Sequence, residues 1–203
     1  MLGRVVAQNA VIELTLGRGV GVVDVVGSEC SRGDGRVRIP VGDVCAGESR
    51  EFTVELEVPP GTGTRMVAEG DVRFERGDER TGVASLRRVN VTYSADAAEI
   101  ERHRDLGAQA KADVAVSTRG VERAMQALDE GKGDVAAEEL AAARRSLQAS
   151  PAASAPASGA AIKEQDARLG DFEKRLKDAP GAPHKVKKSI QYDNYRTQRG
   201  EEK

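Results

Sequence analysis

The chain has 203 residues, with 31 Lys and Arg against 33 Asp and Glu, a net charge of -2. No overall basic excess therefore marks it for nucleic acid. Aromatics make up 3% and Trp is absent, so any core must be built from Val, Leu, Ile and Ala. No apolar run approaches the roughly 18 residues that a membrane crossing needs. The opening MLGRVVAQNAVIEL lacks the charged, apolar and small-residue order of a secretion signal. A natural start at Met1 implies the cytoplasm, whereas a longer parent protein would allow export.

Residues 1–95 alternate short apolar and polar runs broken by Gly, Asp and Pro. VAQNAVIELTL, GVVDVVG, GRVRIPVG, EFTVELEV, MVAEGDVRFE and ASLRRVNVTY are each predicted as a strand. In EFTVELEV, Phe52, Val54, Leu56 and Val58 fall on one face, and Glu51, Thr53, Glu55 and Glu57 on the other. That period of two predicts one buried and one wet face, as in an antiparallel sheet. The separators RGDG, AGE, PPGTG and RGDERTG are turn sequences. Six strands at this spacing predict an immunoglobulin-like β-sandwich of about 100 residues. Its two cysteines, Cys30 and Cys45, are too few for a disulfide framework or a structural zinc site. They are expected as reduced thiols packed like small hydrophobes, with one bridge between them open to an exported chain.

From residue 96 the period becomes helical, giving a segregated α+β chain. Asp96 is placed to cap a first turn, and Gly107 separates that turn from the long helix after it. Leu106, Ala110, Val114, Val121, Met125 and Leu128 share one face of that helix. A break at Glu130–Asp134 precedes a second helix carrying Ala136, Leu140, Ala143 and Leu147 on one stripe. Together they predict an antiparallel helical hairpin over 96–149. The Ala-rich stripes are expected to let the two helices approach closely, and both they and the outer strand edges are expected to meet a partner. SPAASAPASGAA, 150–161, has no apolar period and is expected as a disordered linker. A third helix is predicted from Ile162 to Lys177, with Leu169, Phe172 and Leu176 on its apolar side and Pro180 stopping it. A basic, tyrosine-bearing tail completes the segment 162–203.

The motifs that suggest chemistry are weak. VPPGTGTR, 58–65, resembles a P-loop, but Val58 stands in the place of the first glycine, Thr64 of the lysine and Arg65 of the Ser/Thr. A strand-like run occupies the place where the phosphate-binding helix would begin. The Arg-Gly-Asp triplets at 32–34 and 76–78 coincide with predicted turns, where Gly-Asp is ordinary. His103 and His184 have no metal-ligand spacing. RGDGR and RGDER lack the oxygen ligands of a calcium loop. Asp24 and Ser28 are wrongly spaced for an Asp-x-Ser-x-Ser metal loop. No nucleophile elbow occurs. Asn90-Val91-Thr92 matches a glycosylation acceptor but lies in a predicted strand. No catalytic residue, cofactor or metal ligand is assigned, and an enzyme is not expected.

Several phrases nonetheless group together. Val41-Gly42-Asp43-Val44, then Ala46-Gly47-Glu48, then the alternating strand ending at Pro60, precede VNVTYSADAAEIE. Ala124-Met125-Gln126-Ala127-Leu128 then leads into a Gly-Asp turn and a second helix. The tail carries Tyr192, Tyr195, Thr197 and Arg199 in a Tyr-x-x-Tyr-x-Thr-x-Arg pattern. This order resembles the β-sandwich and helical region of bacterial von Willebrand factor type A proteins, often described as calcium-activated chloride channel-like. The A domain, with its metal-dependent adhesion loop, has no counterpart here. The resemblance implies a non-enzymatic accessory module that contacts a protein partner or supports an A domain, in cis or in trans. It also implies that Tyr192, Tyr195, Thr197 and Arg199 form a docking tail. The alternative is nucleic-acid or acidic-partner binding through the same tail, where Lys185, Lys187, Lys188, Arg196 and Arg199 surround the tyrosines.

Overall fold

The computed structural model describes residues 4–77, 80–178 and 186–190. The chain divides into two units, Met1–His103 and Arg104–Lys203, a boundary a few residues beyond the expected one.

The first unit holds β1 (Val5–Leu16), β2 (Gly21–Val25), β3 (Ser31–Gly33), β4 (Arg36–Cys45), β5 (Val54–Glu57), β6 (Thr64–Glu75), β7 (Thr81–Thr92) and α1 (Ala97–Arg102). One sheet has the order β3-β4-β1-β6-β7, and β2 pairs with β5 in a second. Every one of these pairings is antiparallel. Ile12 lies opposite Ile39 and Val72, and Leu14 opposite Val37 and Gly70, so the apolar positions of three strands share one face. Val25, Val37 and Ile39 are buried there, with Ile12, Leu14, Leu16, Val22, Cys30, Phe52 and Val54 packed around them. Cys30 and Cys45 are both free.

β3 was not expected from the sequence. It is short, has no buried residue and forms because Asp34 and Gly35 both take positive φ, 48° and 70°. Gly33 faces Arg36 across them, which gives the two-residue turn that Asp-Gly favours between strands. At the unit's end the Asp96 side chain accepts from the Ala98 and Glu99 amides and caps α1 as expected.

The second unit holds α2 (Leu106–Asp129), α3 (Gly133–Gln148), a 3-10 turn (Pro151–Ser154) and α4 (Gly159–Asp178), with a further helical segment over 186–190. Asp105 caps α2 by accepting from the Ala108 amide. Gly131, at φ 73°, ends it: its amide donates to the Leu128 carbonyl, and the Lys132 amide donates to that of Ala127. These two bonds satisfy carbonyls that the helix end leaves without partners. The chain then enters α3 after three residues.

The predicted stripes form the core. Ala110, Val121 and Leu128 of α2, all four stripe residues of α3, and Ile162, Leu169 and Phe172 of α4 are buried in one cluster. The stretch 150–161 is not a structureless linker. Ser150 accepts from the Ala152 amide, Ala152 is fully buried, and α4 already begins at Gly159. Low-complexity Ala and Ser resemble a linker in composition, yet a small side chain is what a tight turn against a helix pair can bury. The coarse α+β expectation, antiparallel strands first and helices after, holds.

Candidate interaction surfaces

In the first unit, the residues that carry the family resemblance organise backbone. The Arg50 guanidinium donates to the carbonyls of Val41 and Asp43, the latter at 2.6 Å, and to Glu48 Oε1 at 2.6 Å. Glu48 Oε2 accepts from the Cys45 amide at 2.9 Å. The hydrogen bond from Arg50, and then that from Cys45, hold the Glu48 carboxyl below the usual glutamate range. Asp43 Oδ1 accepts from the amide of Asn9, which sits at φ 51° where β1 slips register against β4. The Val-Gly-Asp and Ala-Gly-Glu phrases are therefore parts of a polar clamp on one end of the sheet.

The decoy motifs resolve into the same kind of structure. Arg32 of the first Arg-Gly-Asp triplet donates to the Val22 and Val23 carbonyls, at 3.1 and 3.2 Å, and so ties β3 to β2. Asp78 of the second triplet lies outside the described residues. The PPGTG segment joins β5 to β6, and the Tyr93 hydroxyl donates to the Pro59 carbonyl at 2.5 Å.

The polar face of the five-stranded sheet carries an open depression of about 540 Å³, whose lining includes Glu13, Thr15, Arg36, Arg38, Asp71 and Arg73. Glu13 bridges Arg73 at 2.9 Å and Arg38 at 3.6 Å. Arg88 pairs with Glu69 at 2.6 Å. Cross-strand pairs of opposite charge contribute about 0.2–1 kcal/mol each. The face carries charges of both signs, with Glu13 and Glu69 each paired to arginine across strands. The outer strand β7 exposes Val83 and Val89, at 57% and 52%. Its register shifts near Arg87 and Arg88, and a bulge bearing charge blunts an edge against further pairing.

In the second unit the Ala-rich stripes do not face outward, which corrects the expectation that they await a partner. Ala124, Ala127, Ala136 and Ala143 are buried among the helices themselves. A side chain at Gly120 would meet the Ala143 Cβ at 2.6 Å, so α2 and α3 approach as closely as Gly and Ala allow. On the flank of this core, Arg144 pairs with Asp166 at 3.0 Å and Glu173 at 2.9 Å, and Gln148 donates to Asp166 at 3.0 Å. The bonds to Asp166 and then Glu173 strengthen the guanidinium's hold on its proton. Gly170 leaves room for it, with an added Cβ 3.2 Å away. Inside, the buried Gln165 donates to the buried Ser117 at 3.0 Å, so neither polar group is left without a partner.

The most informative surface is the one covered by residues 186–190. Val186 and Ile190 are buried, at 4% and 1%, in the same core as Leu128, Leu169 and Phe172. Lys187 pairs with Asp129, the last residue of α2, at 2.5 Å, and Arg175 of α4 donates to Ser189 Oγ. These contacts seat the segment on α2 and α4. Sequence reasoning missed this anchor, although Val186 and Ile190 stand four apart, the spacing of one helix face. Tyr192, Tyr195, Thr197 and Arg199 lie outside the described residues, as do Lys185 and Arg196.

Among the described residues no group of three or more His, Cys, Asp or Glu is arranged to hold a metal ion. No described helix is long and apolar enough to cross a membrane. No family model matches the chain, and no curated protein does. Among solved structures it is similar to one described as von Willebrand factor type A from Catenulispora acidiphila, with a TM-score of 0.53 and 17% identity. The similarity covers 86% of this chain and 39% of that one. At this identity the likeness shows the fold, and the chain spans well under half of the neighbour's length.

Proposed function

We propose that the chain is a non-enzymatic interaction module of a von Willebrand factor type A protein. In this reading it is an immunoglobulin-like sandwich with a helical hairpin and a third helix after it, and it supports an A domain in cis or in trans. The observation that carries the reading is the asymmetric likeness, which takes in 86% of this chain but 39% of the neighbour. Two features support assigning it to the part outside the A domain. The paired strands are all antiparallel, and the phrases around Asp43 and Glu48 form an internal clamp around Arg50.

The helical part supports binding over chemistry for a physical reason. Polar pairs in its interior, Arg144 with Asp166 and Gln165 with Ser117, hold helices to one another. The test begins with the coding sequence on both sides of this chain. An A domain encoded there, produced as a separate polypeptide and titrated calorimetrically into the chain, is expected to bind one to one with at least micromolar affinity. An encoded A domain that releases no heat and does not co-elute overturns the reading, while its absence from both flanks overturns the version in cis.

A further inference from the structure

The two sheets of the first unit differ in size, five strands against two. Residues directly opposite each other on paired strands share a face, so the register traces the inner face outward from the core. Ile12 and Leu14 pack in the core, and Val72 and Gly70 of β6 stand opposite them. Opposite these in turn stand Ala84 and Leu86 of β7, and Val89 stands opposite Ala68. The inner face therefore continues as an apolar stripe across β6 and β7. Val72, Leu86 and Val89 lie outside the core cluster that β2 and β5 cover. Val72 and Leu86 are half-buried, Ala84 is exposed and Val89 is 52% exposed. Arg76 lies over the Phe74 ring, 5.8 Å from its centre, at the far end of the stripe. The position of the small sheet shows what form fits here. Arg32 of β3 donates to the Val22 and Val23 carbonyls of β2, which puts β2 toward β3 and β5 toward β6. Among the described residues no strand pairs with β5 on its other side. On β5, Glu55 and Glu57 are exposed while Val54 and Leu56 are half-buried.

We propose that the β5 edge takes an extended segment of a partner protein as an added strand, which covers the stripe on β6 and β7. Main-chain hydrogen bonds to β5 hold the segment, and its inward side chains meet Val72, Leu86 and Val89. Its outward side chains stand beside Glu55 and Glu57, where opposite charge across a strand pair is favourable. The segment is thus one that alternates aliphatic residues with Lys or Arg. The edge of β7 offers no equal place, because its register shifts near Arg87 and Arg88 and a charged bulge resists pairing. This deepens the interaction-module reading and rests on it, by giving the partner's contact a strand form and a charge.

The probe is a fluorescein-labelled synthetic peptide, TKVKIRVT, added to the full chain. Anisotropy is expected to show saturable binding, and a reordered peptide of the same composition, TVIVKKRT, is expected not to bind. Val89→Lys is expected to weaken binding by at least about 10-fold, because its ammonium would be buried beneath the added strand. Val83 stands opposite Arg73, on the other face of β7, and Val83→Lys is expected to leave binding unchanged. Glu57→Lys is expected to weaken it several-fold. Bound peptide is expected to slow hydrogen exchange of the β5 amides, which contact through side chains alone would not do. The proposal is overturned if the reordered peptide binds equally, if Val83→Lys and Val89→Lys act alike, or if the β5 amides exchange no more slowly. Should Val89→Lys lose its circular dichroism, Ala84→Lys, at another exposed position of the stripe, takes its place. Self-association of the wild type that Val89→Lys abolishes would give the edge to a second copy and overturn the partner version. Failure of TKVKIRVT to bind overturns the site and leaves the A-domain titration untouched, so the two proposals fail separately.

Discussion

The two units reach a folded state by different means. Among the described residues the helical unit buries fifteen apolar side chains in one cluster, whereas the strand unit buries seven, of which only Val25, Val37 and Ile39 form a cluster. What the strand unit lacks in core it replaces with polar ties: Arg50 across Val41, Asp43 and Glu48, Arg32 onto β2, Tyr93 onto Pro59. Apolar burial contributes about 25 cal/mol per Å², while each net hydrogen bond contributes about 0.5–1.5 kcal/mol. One unit is therefore sensitive to the loss of volume and the other to the loss of individual donors and acceptors.

That contrast breaks most readily in the helical core. Phe172→Ala removes a ring that is 1% exposed and is expected to cost about 3–5 kcal/mol, seen as an earlier loss of helical signal in urea. A smaller loss would mean that the core collapses around the cavity. Packing against Gly120 comes next. Gly120→Ala places a methyl 2.6 Å from the Ala143 Cβ, and overpacking costs about 1–3 kcal/mol. Ala143→Gly in the same chain is expected to recover part of it, and a double-mutant cycle showing no coupling would mean that α2 and α3 do not meet there.

In the strand unit the effects are expected to be smaller and local. Tyr93→Phe loses one hydroxyl bond to Pro59 and is expected to cost about 0.5–1.5 kcal/mol without changing the helical transition. Glu48 supplies the pH test. Its carboxyl titrates below the usual range because Arg50 and the Cys45 amide favour the charged form. Its contribution is therefore complete above the unfolded glutamate's pKa and is lost as pH falls through the lower, folded value. Glu48→Gln is expected to flatten that acid dependence slightly. An unchanged acid limb would remove Glu48 from the account.

The same contrast explains what the sequence disclosed. The stripe Ala136, Leu140, Ala143, Leu147 is legible because a helix facing a core must repeat every three or four residues, and all four are buried. EFTVELEV is legible because its alternation admits one buried face. Composition misled where small residues were concerned. Alanines on α2 and α3 suggested both a close helix pair, which they form, and a surface awaiting a partner, which they are not, and Ala152 suggested a linker, because Ala has too little hydrophobicity to announce what covers it. β3 escaped because its three residues bury nothing and depend on Asp34–Gly35. The segment 186–190 escaped because two aliphatics at helical spacing are too few to stand out among lysines, and its basic character drew attention to the tyrosines beyond it. Chemistry that depends on fold-level partners, such as Arg50 with Asp43, has no local signature.

The comparison between the units is tested most directly by native-state hydrogen exchange along the whole chain, resolved by residue. The account predicts the greatest protection on α2, α3 and α4 and lower protection on β6 and β7. One common level of protection across both units, or strands protected beyond the helices, would contradict it.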